Sequence, residues 1–211
     1  MKQHDIAGVF NLVVADVKPV GETLVSDRRL PLISATGSCR MGRRVGEVVA
    51  SRMGRSLLEL GGNNAIIVMD DADLDMTVKA AVFGAVGTAG QRCTSTRRLL
   101  LQEGIADQVT DRLVKAYRTV RIGDPLEPGT LMGPLIHQGA VDAMLAAIDR
   151  ARSEGGEVLV GGKRVERPGF FVEPTIVRSN KMLAVARQET FAPILYVFPL
   201  KDLNEAIAIQ N

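Results

Sequence analysis

The chain has 211 residues, enough to bury a sizeable core as one large domain or pieces of two. Apolar residues make up 46% and charged residues 24%, and the formal charge is only +2 with no basic block interleaved with aromatics; nucleic acid is therefore excluded as the main partner. Two cysteines, Cys39 and Cys93, make no disulfide framework and point to a reduced, cytosolic setting, while His4 and His137 do not stand with them at metal-ligand spacing, and no apolar run suits a signal peptide or a membrane span.

Residues 8–14 read as a short buried strand, and 20–26 as weakly helical. A second strand over 30–34 runs into Thr36-Gly37-Ser38, a helix follows over 41–53, and 56–60 returns to strand. Such β–α–β alternation suggests a parallel sheet covered by helices. A strand feeding Gly37-Ser38 at a helix start can meet an anion, since the first amides of a helix lack intrahelical partners and carry the positive dipole end. The competing reading is a plain N-cap by Ser38.

Gly61-Gly62-Asn63-Asn64 is a turn, 65–69 a strand, and 74–86 a helix opened by Asp70-Asp71-Ala72-Asp73. The stretch Gly90-Gln91-Arg92-Cys93-Thr94 follows. A strand over 99–101, a helix over 105–120, a loop through Gly133-Pro134-Leu135 and a helix over 141–153 come next. Strands over 158–160, 171–177 and 194–198 precede a helix starting at Leu203. The chain begins almost directly with a strand pattern and ends inside a helical one, as expected of an internal piece of a longer protein.

Three residues invite chemistry. Cys93 has a cation beside it and glycines before it, and its own amide could donate to an oxyanion on a carbonyl it attacks. The alternative is a buried, inert thiol. Glu59 stands between Leu58 and Leu60, where desolvation would suit a general base; the alternative is a strand-end glutamate facing water. Glu189, opening Glu189-Thr190-Phe191-Ala192-Pro193, could hold a ribose while Phe191 packs on a flat heterocycle. The alternative is a surface turn with one core aromatic. A cysteine hydrolase would instead need a histidine beside Cys93 in the fold.

In this order, Thr36-Gly37-Ser38, Glu59-Leu60-Gly61-Gly62, Gly90-Gln91-Arg92-Cys93, Gly133-Pro134-Leu135 and Glu189-Thr190-Phe191-Ala192-Pro193 resemble the NAD(P)-dependent aldehyde dehydrogenase superfamily across essentially the whole chain. The runs Glu59 to Ala65 and Gly87 to Thr94 look like its antiquitin branch, the α-aminoadipic semialdehyde dehydrogenases. The resemblance implies an α/β fold: a partial Rossmann-like half of the cofactor domain over 1–60, then an α/β catalytic domain with a mainly parallel sheet over 61–211.

It further implies that Cys93 attacks an aldehyde, that hydride passes to a nicotinamide, and that Glu59 activates the water that hydrolyses the thioester. Gly37, Ser38, Leu60, Glu189 and Phe191 are expected at the cofactor, which is NAD by the antiquitin likeness, with NADP left open by the sequence. Arg92, whose fork suits a substrate carboxylate, and Thr94 are expected at the substrate. No metal is implied. The partner is a small-molecule aldehyde, and the parent enzyme is expected to be a homo-oligomer. Cys39 stands where the family most often has threonine. The asparagine that completes the family's oxyanion hole and the residues that read the adenosine ribose have no counterpart here. The isolated chain is therefore expected to be an inactive fragment that binds at most part of the nucleotide or a partner.

Overall fold

A computed structural model of the chain describes residues 8–15 and 17–211. Contacts divide it into two compact units, Met1–Gly61 and Gly62–Asn211.

In the first unit a π-helical turn (Val17–Gly21) leads into α1 (Glu22–Ser26). Then β1 (Leu32–Thr36) pairs in parallel with β2 (Arg55–Glu59), from Leu32 opposite Arg55 to Thr36 opposite Glu59. A parallel pair needs a crossover, and α2 (Cys39–Ser51) supplies it. The Ser38 hydroxyl accepts the Met41 amide at 3.2 Å and starts that helix. Gly42, Val45 and Val49 then form its buried stripe, at the three- and four-residue spacing of one helix face. Gly42 is where the helix comes nearest the chain leaving β2: a Cβ there would lie 2.4 Å from the Leu60 methyls.

The strand expected over 8–14 does not form. Residues 8–10 make a turn, 11–15 have no regular structure, and Leu12 is 87% exposed. Among the described residues this unit's sheet holds only β1 and β2, so the segment has no neighbour to take its backbone groups.

The second unit carries a five-stranded sheet in the order β3-β4-β7-β6-β5. Its elements are β3 (Ala65–Val68), α3 (Leu74–Val86), β4 (Arg98–Gln102), α4 (Glu103–Tyr117), α5 (Gln138–Ser153), β5 (Glu157–Val160), β6 (Thr175–Arg178), β7 (Ile194–Leu200) and α6 (Leu203–Gln210). All neighbours are parallel except the edge strand β5. Leu99, Leu100 and Leu101 of β4 are fully buried, as a strand covered on both faces must be. Helix α4 turns Ile105, Val109 and Leu113 into this core, and α5 turns Val141, Met144 and Ile148. Asp73 caps α3 by accepting the Asp75 and Met76 amides.

The strand expected over 171–177 is shorter, because Pro174 has no amide for a ladder; Val172 makes only an isolated bridge to Arg164 before β6 begins. Among the described residues no helix is long and apolar enough to cross a membrane.

Candidate active site

Three loops enter three neighbouring parallel strands. Residues 62–64 lead into β3, 87–97 into β4 and 188–193 into β7, with β4 in the middle. Ala65 lies opposite Arg98, and Arg98 opposite Tyr196. Parallel strands in register bring their entry ends side by side, so segments far apart in sequence meet.

The Cys93 loop is wound tightly. After α3 comes a 3-10 turn, Gly87–Gly90, in which Thr88 and Ala89 have φ of 54° and 53° and Gly90 has φ of 67°. Left-handed backbone at a residue with a Cβ costs on the order of 1 kcal/mol and persists only where the surroundings fix it. Gly90 lies against the backbone of Ala192, whose oxygen would be 2.4 Å from an added Cβ. The Gln91 side chain donates to Thr88 O (3.2 Å) and Pro134 O (3.3 Å) and accepts the Ile136 amide at 2.9 Å. Asn64 Nδ2 donates to Cys93 O at 2.6 Å and to Ser95 O at 3.1 Å. Asn64, Pro134 and Ala192, from three separate stretches of sequence, thus converge on the Cys93 loop.

Arg97 lies beneath it. Its Nε donates to Gly62 O (3.4 Å), Nη1 to Gly90 O (3.1 Å) and Thr190 O (2.8 Å), and Nη2 to Arg92 O (3.2 Å) and Glu189 Oε1 (3.0 Å). The Arg97 side chain is 3% exposed and that of Glu189 24%. Burial pushes Arg97 down from the usual arginine range, and Glu189 and the Cys93 thiol push it back up. The guanidinium also stands 5.2 Å from the Phe191 ring centre. Arg98 is buried too, donating to Asn63 O (2.7 Å) and the Gln210 side chain (2.9 Å), which ties the turn before β3 to α6.

Cys93 is a free, exposed thiol, so the buried-thiol alternative does not hold. Thr94 beside it is exposed. Phe191 is 46% exposed, not a core aromatic. Arg92 is turned away from the thiol toward α3, with its guanidinium 5.0 Å from the Phe83 ring and Nη2 donating to Phe83 O at 3.3 Å. Its Nε is buried with no partner among the described residues. Gly87 makes room for this course, since a Cβ there would meet Arg92 Nη2 at 2.5 Å. His137, the histidine a hydrolase would need, has its Nδ1 engaged by the Ala140 amide at 3.0 Å as the cap of α5; His4 lies outside the described residues.

In the first unit, Gly37 N donates to Glu59 O at 3.0 Å, and Cys39 Sγ to Gly61 O at 3.7 Å. Glu59 ends β2 and is exposed, where the sequence suggested a desolvated carboxylate: β2 has one sheet neighbour, and of its residues only Leu58 is even half-buried. Ser38 is the N-cap of α2, and the first turn of that helix holds no acidic residue. Gly37, Ser38 and Leu60 therefore gather with Glu59 in this unit, and Cys93, Glu189, Phe191, Arg92 and Thr94 in the other.

Sequence reasoning missed Arg97 and Arg98. Their signal was an adjacent pair of charges opening the run Leu99-Leu100-Leu101, a place where a cation is buried and must be satisfied. It also missed the clamps made by Asn64 and Gln91, which it read only as parts of motifs.

A model of the aldehyde dehydrogenase family matches residues 6–211. The chain is 51% identical to the α-aminoadipic semialdehyde dehydrogenase of Bos taurus over 212 aligned positions, which cover 100% of the chain and 39% of that protein. It is 46% identical to aldehyde dehydrogenase family 7 member B4 of Arabidopsis thaliana, covering 100% of the chain and 42% of that protein. Among solved structures, lactaldehyde dehydrogenase from Escherichia coli superposes with a TM-score of 0.93 at 38% identity, covering 97% of the chain and 43% of its own. Betaine aldehyde dehydrogenase from Staphylococcus aureus, solved in complex with NAD+, gives 0.91 at 31% identity, covering 95% and 41%. The chain thus spans about two fifths of the length of the curated relatives it matches.

Proposed function

The chain belongs to the aldehyde dehydrogenase family, and from that we propose that, in a protein of its relatives' full length, these residues oxidise an aldehyde to a carboxylate with NAD. The substrate class we propose is a semialdehyde such as α-aminoadipic semialdehyde, after the relatives that bear that name. The observation that carries the reading is the exposed Cys93 thiol on a loop whose carbonyls are pinned on both sides, Arg92 O by Arg97 and Cys93 O by Asn64.

Both units offer groups that fit a dinucleotide. The first turn of α2, with Ser38 as cap and Arg40 following, suits a pyrophosphate. Glu189, held through one carboxylate oxygen by Arg97, suits ribose hydroxyls, and the half-exposed Phe191 suits a flat ring. When bound, the nicotinamide supplies the hydride acceptor.

The protein's own part begins with the Cys93 thiolate. Sγ adds to the carbonyl carbon, and the π electrons move to oxygen, giving a thiohemiacetal alkoxide. The Cys93 amide donates to that oxygen. Once the carbon has lost its hydride, an acyl thioester remains on Sγ. Glu59 takes a proton from water, the resulting hydroxide attacks the acyl carbon, and the C–S bond breaks to release the acid and restore the thiolate. Arg92 is the proposed partner of the substrate carboxylate, a role for which its guanidinium would have to leave the Phe83 ring, and Thr94, exposed beside Cys93, is proposed at the substrate too.

The test is a kinetic series on such a full-length protein. Cys93→Ala should abolish NADH formation. Glu59→Gln should leave one stoichiometric burst of NADH followed by slow turnover, because only deacylation needs the base. A Glu59→Gln variant with no burst and no activity would remove Glu59 from the role proposed. The 211-residue chain alone should show negligible turnover and at most weak NAD binding in a titration. Robust NAD reduction with an aldehyde by this chain would overturn that expectation.

A further inference from the structure

Arg92 is held far more loosely than Arg97. An arginine fork offers five N–H groups, and among the described residues that of Arg92 makes one hydrogen bond, from Nη2 to Phe83 O at 3.3 Å. Its Nε is buried with no partner among the described residues, and none of their ion pairs includes it. The guanidinium rests on the Phe83 ring instead, 5.0 Å from its centre, and Phe83 is 69% exposed. Gly87 completes the seat, since a Cβ there would meet Nη2 at 2.5 Å. A cation–π contact at an exposed ring is weak, and a buried N–H without an acceptor works against the position. A carboxylate would instead take two N–H groups of the fork at once. The Arg92 backbone is fixed on both sides, its N–H donating to Ser95 Oγ and its carbonyl accepting from Arg97 Nη2, each at 3.2 Å. The guanidinium can therefore leave Phe83 by rotation about its own side-chain bonds while the Cys93 loop stays in place.

Resting on the reading of Arg92 as partner of the substrate carboxylate, we propose that Phe83 and Gly87 are positioning residues that hold Arg92 in a resting seat, from which a carboxylate-bearing aldehyde must draw it. The seat bears on specificity. An aldehyde with a carboxylate replaces the seat by a bidentate pair, whereas an uncharged aldehyde has nothing that draws the guanidinium away. The apparent affinity for the carboxylate is its intrinsic affinity reduced by the fraction of molecules whose guanidinium is free, so weakening the seat raises it. The two residues act on separate parts of the seat. The Phe83 ring supplies the cation–π face, and the missing side chain at Gly87 leaves the space through which Nη2 reaches Phe83 O. Gly87 has φ of −52° and ψ of 133°, which alanine adopts without strain.

The test uses a protein of the relatives' full length and two five-carbon substrates that differ in one carboxylate, glutaric semialdehyde and pentanal. The readout is the KM of the first divided by the KM of the second. Phe83→Leu should lower that ratio about twofold to fivefold, the size of an exposed cation–π contact. Gly87→Ala should lower it too, because Nη2 can no longer reach its place. In an Arg92→Met background neither substitution should move the ratio, since both act through the guanidinium. A general loss of packing moves the two KM values together and leaves the ratio where it was. A ratio that rises or stays the same in Phe83→Leu overturns the proposal, as does one that still falls when Arg92 is absent. If the full-length protein oxidises neither aldehyde, the assigned reaction fails, and the seat is then read in the 211-residue chain by phenylglyoxal modification of Arg92, followed by peptide mass mapping. Modification about twofold to fivefold faster in Phe83→Leu upholds the seat, and an unchanged rate overturns it.

Discussion

Asn64 Nδ2 donates to the carbonyl of Cys93 at 2.6 Å, across 29 residues of sequence. The Asn64 carbonyl accepts the Arg97 and Arg98 amides, each at 3.0 Å. The residue just before β3 therefore holds both the Cys93 loop and the start of β4. Asn64→Ala removes two side-chain bonds and leaves Cys93 O and Ser95 O to find water. The expected cost is about 1–3 kcal/mol in urea unfolding, with faster hydrogen exchange over residues 91–96. Unchanged exchange there would show that the clamp is not what orders the loop.

Gly90 and Gly37 should respond differently to alanine. A Cβ at Gly90 would meet Ala192 O at 2.4 Å and Pro193 N at 2.8 Å, backbone atoms that cannot step aside, and φ is +67°. A Cβ at Gly37 would meet only the terminal methyl of Met41, at 2.5 Å, which can rotate away. Gly90→Ala is expected to cost on the order of 2–4 kcal/mol and Gly37→Ala less than about 1 kcal/mol, read as thermal unfolding shifts.

Tyr196 gives the fold an alkaline limit. Its hydroxyl is buried without a partner among the described residues. Burial, with Glu154 adding to it, pushes its pKa up to about 12 from an ordinary 10.0. A raised folded pKa means that the associated stability is fully present below pH 10 and lost as pH rises from there through about 12, in all about 2–3 kcal/mol. Tyr196→Phe should flatten that loss. At neutral pH it should equal the parent or exceed it by up to about 1 kcal/mol, since it deletes an unpaired polar group. Urea midpoints at pH 7 and pH 11 check both.

Cys39→Thr should be nearly silent. Cys39 is exposed, and its thiol makes a long contact to Gly61 O at 3.7 Å. A threonine hydroxyl can donate to the same carbonyl. The expected change in unfolding free energy is within about 0.5 kcal/mol.

Local order was written in the sequence. The helix over 74–86, the crossover between β1 and β2 and the apolar run of β4 follow from periodicity and caps, which are properties of neighbours along the chain. Strand 8–14 failed for the converse reason: apolar residues suffice for a strand pattern, but a strand exists only if another presents its edge. The motifs around Cys93, Glu189 and Gly133 were legible as residue types in order, and the family could be named from them. Their meeting was not legible. It depends on β4 lying between β3 and β7, so that three entry loops, the outer two some 124 residues apart (from 64 to 188), share one end of the sheet. Nor could the sequence show that Arg97, rather than Arg92 next to Cys93, is the cation buried among the carbonyls of the Cys93 loop. Both arginines stand near Cys93, and only packing decides which guanidinium is buried among carbonyls and which turns toward α3.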